Sequence, residues 1–146
     1  MTRLNAMLLA AAGLWVCTIG AVAGAAATDD SGWQIAERAE TERNPVPLDR
    51  GVLARGESLY RSKCQRCHAV DGRGHGPEAD PDHPAGDLTD ARRASRNPDG
   101  VMFYKIWNGR AKPKMPAMKA DLPPADVWTI IHYVKTLRRG DLPPAR

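Results

Sequence analysis

Apolar residues recur at helical spacing in two stretches, one near the middle of the chain and one near its end. The first stretch contains Val52, Leu53, Gly56, Leu59, Tyr60 and Lys63, and the second contains Val127, Ile130, Ile131, Val134 and Leu137. Spacings of three, four and seven residues place such side chains on one helix face. The pattern therefore predicts one amphipathic helix beginning near Gly51 and another beginning at Pro123 or Pro124.

Two shorter helices are predicted between these. The segment 87–90 offers side-chain caps for a helix that continues to about Ser95. For the next helix, Asn97 is the predicted N-cap, Pro98 occupies the first helical position, and Gly109 ends it. No alternating strand pattern is present. The sequence thus predicts an all-α fold of about four short helices.

The connections between the helices are rich in turn-forming residues. After residue 68 the chain contains Gly72, Gly74, Gly76, Pro77, Pro81 and Pro84. Regular structure is therefore not expected before about Asp87. The segment 110–118 contains two prolines and two methionines and is also predicted to be a loop. Loops this long are costly to order unless they pack against a partner.

The first 27 residues have the layout of a secretory signal peptide. Arg3 supplies the positive start, residues 6–22 carry no charge, and small residues at 21–23 and 25–27 offer two cleavage sites. An uncleaved anchor is the alternative, because the apolar run to Ala27 is just long enough to span a bilayer. The expected location is the periplasm, with membrane attachment only if this segment is retained.

Three further parts follow the leader. Residues 28–50 are predicted to form an extended polar arm with Trp33 as its large apolar anchor. A short helical turn within 34–43 is the alternative, but the charges there leave no wide apolar face. The folded domain is expected at 51–140, and residues 141–146 form a tail that contains two prolines.

The charge is slightly basic overall but unevenly distributed. The chain has 21 Lys and Arg against 17 Asp and Glu. No acidic residue lies between Gly100 and Ala120, a segment with five basic residues: Lys105, Arg110, Lys112, Lys114 and Lys119. A nucleic-acid partner is not expected, because no basic stripe interleaved with aromatic residues is present. The basic segment instead favours a protein partner with an acidic docking surface.

The strongest chemical motif is Cys64-Gln65-Arg66-Cys67-His68. Two thiols three residues apart, followed directly by an imidazole, are typical of c-type haem attachment. A structural zinc site would need further ligands, and no cysteine follows Cys67. A thioredoxin-like pair would need a preceding strand, so a disulfide or another metal site are the remaining alternatives. A haem would also supply core to a chain with a single Phe.

With these motifs in place, the chain resembles a bacterial class I cytochrome c of the monohaem kind over about residues 44–139. The resemblance rests on the haem motif and on segments 71–77, 84–90, 114–118 and 128–137. It implies a compact all-α fold around one covalently bound haem c. In that fold the first and last helices cross where Gly56, Tyr60 and Tyr133 meet.

The same resemblance implies the ligand set. Cys64 and Cys67 would bind the haem, His68 would be one axial ligand, and Met115, directly before Pro116, would be the second. A His and Met pair raises the potential and closes both faces of the iron. Met118 is the local rival, with packing as its simpler role. The carbonyl of Pro77 is the expected acceptor for the second ring nitrogen of His68.

The remaining candidates have simpler interpretations. By spacing, Met102 is a core residue and Met7 belongs to the leader. His132 is expected to be structural or partly exposed. His75 and His83 are expected to be solvated loop residues, with binding of iron or of an adventitious metal as the alternative.

The function implied is one-electron transfer between periplasmic or membrane-bound partners, as in a respiratory chain, without substrate chemistry of its own. The alternatives are a permanent haem subunit of a dehydrogenase or oxidase complex, and an open-iron peroxidase or gas sensor in which Met115 does not bind.

Overall fold

The computed structural model describes residues 27–28 and 32–138. The predicted leader (apart from Ala27) and the tail lie outside this part of the chain. The described elements are β1 (Ala27–Thr28), β2 (Gln34–Ile35), a 3-10 helix (Glu37–Glu40), α1 (Arg50–Lys63), α2 (Gln65–His68), α3 (Ala91–Ser95), α4 (Asp99–Asn108) and α5 (Pro124–Arg138). The all-α class is confirmed, since β1 and β2 form only a two-residue antiparallel pair at the start of the described chain.

Helix α1 leads directly into the haem motif, which begins at its C-cap residue Cys64. Its N-cap is Asp49, whose side chain accepts a hydrogen bond from the Val52 N–H at 2.7 Å. Arg61 and Lys63 in the last turn lie near the negative end of the helix dipole. The Cys64 N–H then donates to the Tyr60 carbonyl at 2.8 Å, so the motif continues directly from a capped helix.

The crossing of α1 and α5 forms the centre of the fold. A Cβ built on Gly56 would lie 2.6 Å from the Thr129 carbonyl oxygen, so only glycine allows the two backbones to approach this closely. The rings of Tyr60 and Tyr133 pack beside this point with centroids 5.3 Å apart. The predicted crossing contact is therefore confirmed.

The start of α4 differs from the prediction. Asn97 is not its N-cap; Pro98 occupies that position, with no side-chain cap. The Asn97 side chain instead donates to the Arg93 carbonyl and accepts from Lys105 Nζ at 2.7 Å. Asn97 thus closes the end of α3, and its side chain is no longer available to the N–H groups of α4. Gly109 ends α4 as predicted, with φ +60°.

The arm is attached to the domain at several points. Ala39 in the 3-10 helix is fully buried, and its carbonyl lies against Gly100 of α4. Asn44 Nδ2 donates to the Trp128 carbonyl at 2.8 Å, and His132 Nε2 donates to the Val46 carbonyl at 2.7 Å. His132 therefore has the structural role that was expected of it. In residues 27–28 and 32–138, no helix has the length and apolar character needed to cross a bilayer.

Substituting Gly56 with alanine tests the helix crossing. Although alanine has the higher helix propensity, Gly56→Ala should destabilise the holoprotein by about 1–3 kcal/mol, because its Cβ would press on the Thr129 carbonyl. Denaturant unfolding measures the change. Ser58→Ala, at an exposed position of the same helix, is the control and should stay within about 0.5 kcal/mol. Equal stability of both variants would contradict the close approach.

Candidate functional site

A cavity of about 570 Å³ lies between the C-terminal ends of α1 and α5, helix α4 and the loop that follows α4. All four residues predicted as ligands line it: Cys64, Cys67, His68 and Met115. Its volume falls within the range of roughly 300–1,000 Å³ typical of cofactor and ligand sites. The structure therefore places the four predicted site residues around one space.

Helix α2 positions the two thiols and the imidazole. It is a single turn in which the N–H groups of Cys67 and His68 both donate to the Cys64 carbonyl, at 3.1 and 2.9 Å. The turn ends at Ala69, which has φ +63°, a conformation that favours glycine. The Tyr60 hydroxyl donates to the Ala69 carbonyl at 2.7 Å, so the α1–α5 crossing supports this strained position.

The imidazole of His68 is held in one tautomer. Its Nδ1 lies 3.2 Å from the Gly86 carbonyl oxygen. Because a carbonyl only accepts hydrogen bonds, Nδ1 must carry the proton, which leaves the lone pair on Nε2. Burial lowers the pKa of His68, outweighing the opposite effect of the Gly86 hydrogen bond. The lowered pKa favours the neutral imidazole at neutral pH, with the lone pair of Nε2 available to bind a metal.

The prediction that the Pro77 carbonyl accepts the hydrogen bond from the His68 ring is wrong, because the Gly86 carbonyl accepts it. The loop after His68 first folds back on α2, where Gly76 N–H donates to the Cys67 carbonyl at 3.0 Å. This contact keeps the exposed Pro77 beside α2. The chain returns to the imidazole only at Gly86, and Leu88 N–H then donates to the Gly72 carbonyl at 2.7 Å.

The two thiols are free and do not form a disulfide. Burial, and next to it the neighbouring Cys67, raises the pKa of Cys64 to about 12. Within the described part of the chain, no three His, Cys, Asp or Glu side chains are grouped so as to hold a metal ion. The alternatives of a disulfide and of another metal site therefore gain no support from the described residues.

Three methionines line the cavity: Met102, Met115 and Met118. Met115 lies in a turn closed by two backbone hydrogen bonds with Arg110, both of 2.9 Å. Met118 is buried in the core cluster and its N–H donates to the Ile106 carbonyl at 3.0 Å. Met102 is a core residue as predicted, but it also faces the cavity.

Sequence reasoning missed Arg138 as a residue of this site. The side chain lines the cavity, with Nε donating to the Leu88 carbonyl at 3.2 Å and Nη2 to the Met102 sulfur at 2.9 Å. Burial lowers the pKa of Arg138. The helical spacing contained the necessary information, because Ile130, Val134 and Arg138 are four residues apart and all line the cavity.

These side chains fit a haem. The apolar wall from α4 and α5 suits a porphyrin, and the imidazole and thioether groups are common iron ligands. The two thiols suit thioether bonds, and Arg138 offers a partly buried cation for a carboxylate of the cofactor.

Comparison with known proteins agrees with this fit. The Cytochrome c family model matches residues 53–138, more than half of the chain. The chain belongs to the cytochrome c family. Membership implies a covalently bound c-type haem and a role in electron transfer. No curated protein matches the chain.

Several solved structures are similar to this chain, among them the following two. One is a chain of the Kuenenia stuttgartiensis reducing HAO-like protein complex Kustc0457/Kustc0458, at 25% identity and a TM-score of 0.54. The similarity covers 66% of this chain and 49% of that one, so this chain spans about half the length of that relative. The other is the KustC0563 c-type cytochrome, at 26% identity and a TM-score of 0.43, covering 59% of this chain and 95% of that one.

Replacing Arg138 tests its place in the site. Arg138→Gln should lower the midpoint potential of the holoprotein by on the order of tens of mV, because a nearby positive charge disfavours the ferric state. A redox titration measures the shift. Arg92→Gln, which removes an exposed cation that does not line the cavity, is the control. If both variants keep the wild-type potential, Arg138 does not contact the cofactor.

Proposed function

We propose that this protein is a one-electron carrier in which His68 and Met115 are the axial ligands of a single haem c bonded to Cys64 and Cys67. The observation that supports this most strongly is the arrangement of the cavity. It is lined by both thiols, by a neutral imidazole whose Nε2 is available, and by the thioether of Met115. The protein itself catalyses no substrate reaction in this proposal.

The haem supplies the reversible one-electron change at its iron, and the chain sets the conditions for that change. The Gly86 carbonyl fixes the ring of His68 and increases its basicity. The soft thioether of Met115 favours ferrous iron and therefore a higher potential. The buried side chains of Ile130, Val134 and Met118 exclude water from the cavity wall.

The positions of the methionines support Met115 over Met118 as the ligand. Met115 is partly exposed and lies in a turn, so its side chain is free of the core. Met118 is only 6% exposed and belongs to the core cluster with Phe103 and Leu122. Using Met118 as the ligand would withdraw a buried side chain from this packing.

A permanent haem subunit of a larger redox complex is the second candidate. The similarity to a chain of the Kuenenia complex, at a TM-score of 0.54, is the observation that favours it. Size-exclusion chromatography of the native material separates the two, since a free carrier elutes alone and a subunit elutes with its partners. An open-iron peroxidase or gas sensor would require Met115 to remain off the iron.

We further infer export to the periplasm and docking through basic residues near Met115. Among the five basic residues of this segment, Lys105 and Arg110 are half-buried and lie against Trp33, so the proposed docking surface does not include them. Lys112, Lys114 and Lys119 are exposed, and none of them forms an ion pair with another described residue. Lys114 also lines the cavity, so the positive charge lies beside the proposed haem.

Paired methionine variants test the ligand assignment. Met115→Ala should keep the haem bound but lower the potential, remove the sulfur-to-iron charge-transfer band and admit cyanide or carbon monoxide. Met118→Ala should retain the band and lower stability by about 2–5 kcal/mol. Loss of the band in Met118→Ala alone would reverse the assignment.

Charge reversal tests the docking surface. With Lys112→Glu and Lys114→Glu combined, electron transfer to the physiological partner should slow at least several-fold at low salt and become less sensitive to salt, with nearly unchanged potential. Stopped-flow kinetics over a range of ionic strength measures this. Arg92→Glu, on α3, is the control. A rate independent of both salt and the double substitution would exclude this surface.

A further inference from the structure

Trp33 lies against two cations close to the cavity. The Arg110 guanidinium carbon is 4.4 Å from the centroid of the Trp33 ring, and Lys105 Nζ is 5.3 Å from it. Both distances are within the range of cation–π attraction. Trp33 is half-buried and itself lines the cavity. The polar arm, which has no part in the haem motif, thus reaches the functional site through one aromatic side chain.

Arg110 connects this ring to the turn that carries Met115. Its backbone N–H and carbonyl each form a 2.9 Å hydrogen bond with Met115, and its Nε donates to the Pro113 carbonyl at 3.0 Å. Arg110 therefore pairs with Met115 through its backbone, donates to Pro113 through its side chain, and stacks on Trp33. If Met115 moved away from the cavity, either the backbone hydrogen bonds between Arg110 and Met115 or the stack of Arg110 on Trp33 would have to break.

The arm provides a fixed base for Trp33. The next residue, Gln34, begins β2, and its carbonyl accepts a hydrogen bond from Asn108 Nδ2 at 2.8 Å. Further along the arm, Ala39 is fully buried against Gly100 of α4. The contacts of Gln34 and Ala39, which follow Trp33 in the chain, therefore hold this part of the arm in place independently of the Met115 turn.

We propose that the stack of Trp33 on Arg110 is a latch that holds the Met115 turn closed over the cavity, which makes Trp33 a positioning residue for the second axial ligand. The proposal rests on the proposed function insofar as Met115 is that ligand. The Met115 turn exchanges between a closed and an open conformation. The stack of Arg110 on Trp33 forms only in the closed conformation and therefore stabilises it.

The binding of cyanide to the ferric holoprotein measures this equilibrium, because cyanide reaches the iron only when the turn is open. Trp33→Leu keeps an apolar side chain but removes the aromatic face, and it should raise the binding rate by roughly 3- to 30-fold. It should also weaken the sulfur-to-iron charge-transfer band. Trp33→Phe should restore much of the wild-type behaviour. Arg38→Gln, which breaks an exposed ion pair elsewhere in the arm, should change neither quantity.

A second variant tests whether the ring acts through Arg110. Arg110→Gln alone should also speed cyanide binding. In the double variant with Trp33→Leu, the increase in the binding rate should be much smaller than the product of the two single increases, since both substitutions remove the same contact. Multiplicative effects of the two substitutions would overturn the latch.

Amide hydrogen exchange of Arg110 and Met115 separates failure of the latch from failure of the ligand assignment. These two N–H groups close the turn whether or not Met115 binds iron. Faster exchange in Trp33→Leu, together with a wild-type protein that itself lacks the charge-transfer band, would support the latch and refute Met115 as ligand. A wild-type band combined with unchanged exchange and unchanged cyanide binding in Trp33→Leu would refute the latch and leave the ligand assignment standing.

Discussion

The close approach of α1 and α5 at Gly56 is the contact on which the rest of the structure depends. It allows Tyr60 to pack on Tyr133, and the Tyr60 hydroxyl then reaches the Ala69 carbonyl at 2.7 Å. That hydrogen bond ties the end of the Cys64–His68 turn to the helix crossing. Because Gly56 has no side chain, the two helices approach closely, and a series of direct contacts then holds the haem motif against the wall formed by α5.

The cavity combines two kinds of control over a bound haem. Backbone groups hold the two proposed ligands: the Gly86 carbonyl orients His68, and two backbone hydrogen bonds with Arg110 hold the turn of Met115. Cations set the electrostatic field, with Arg138 in the wall and Lys114 at the surface. The first set would decide which atoms face the iron. In the second, the partly buried Arg138 would affect the potential, and the exposed Lys114 would affect the approach of a partner. The arm belongs to both sets, because Trp33 contacts Arg110 and Lys105.

Local patterns predicted most of the helices and the four proposed ligands. Periodicity located α1 and α5 to within a residue or two, and the haem motif is contiguous, so its geometry depends little on the rest of the chain. The acceptor for His68 was missed because the path of an aperiodic loop decides which carbonyl returns to the imidazole. Asn97 was misassigned because two helix ends compete for one side chain. The contact between Trp33 and Arg110 joins residues far apart in the chain, and no spacing rule predicts such a pair.

The central claim is that the cavity between these helices holds one haem bonded to both cysteines. Intact mass measurement of the native protein under denaturing conditions, combined with thiol alkylation, tests it most directly. The account predicts a mass increased by one haem that survives denaturation, with Cys64 and Cys67 both unreactive towards the alkylating reagent. A natively folded chain of unmodified mass, in which both thiols are alkylated after denaturation, would contradict it.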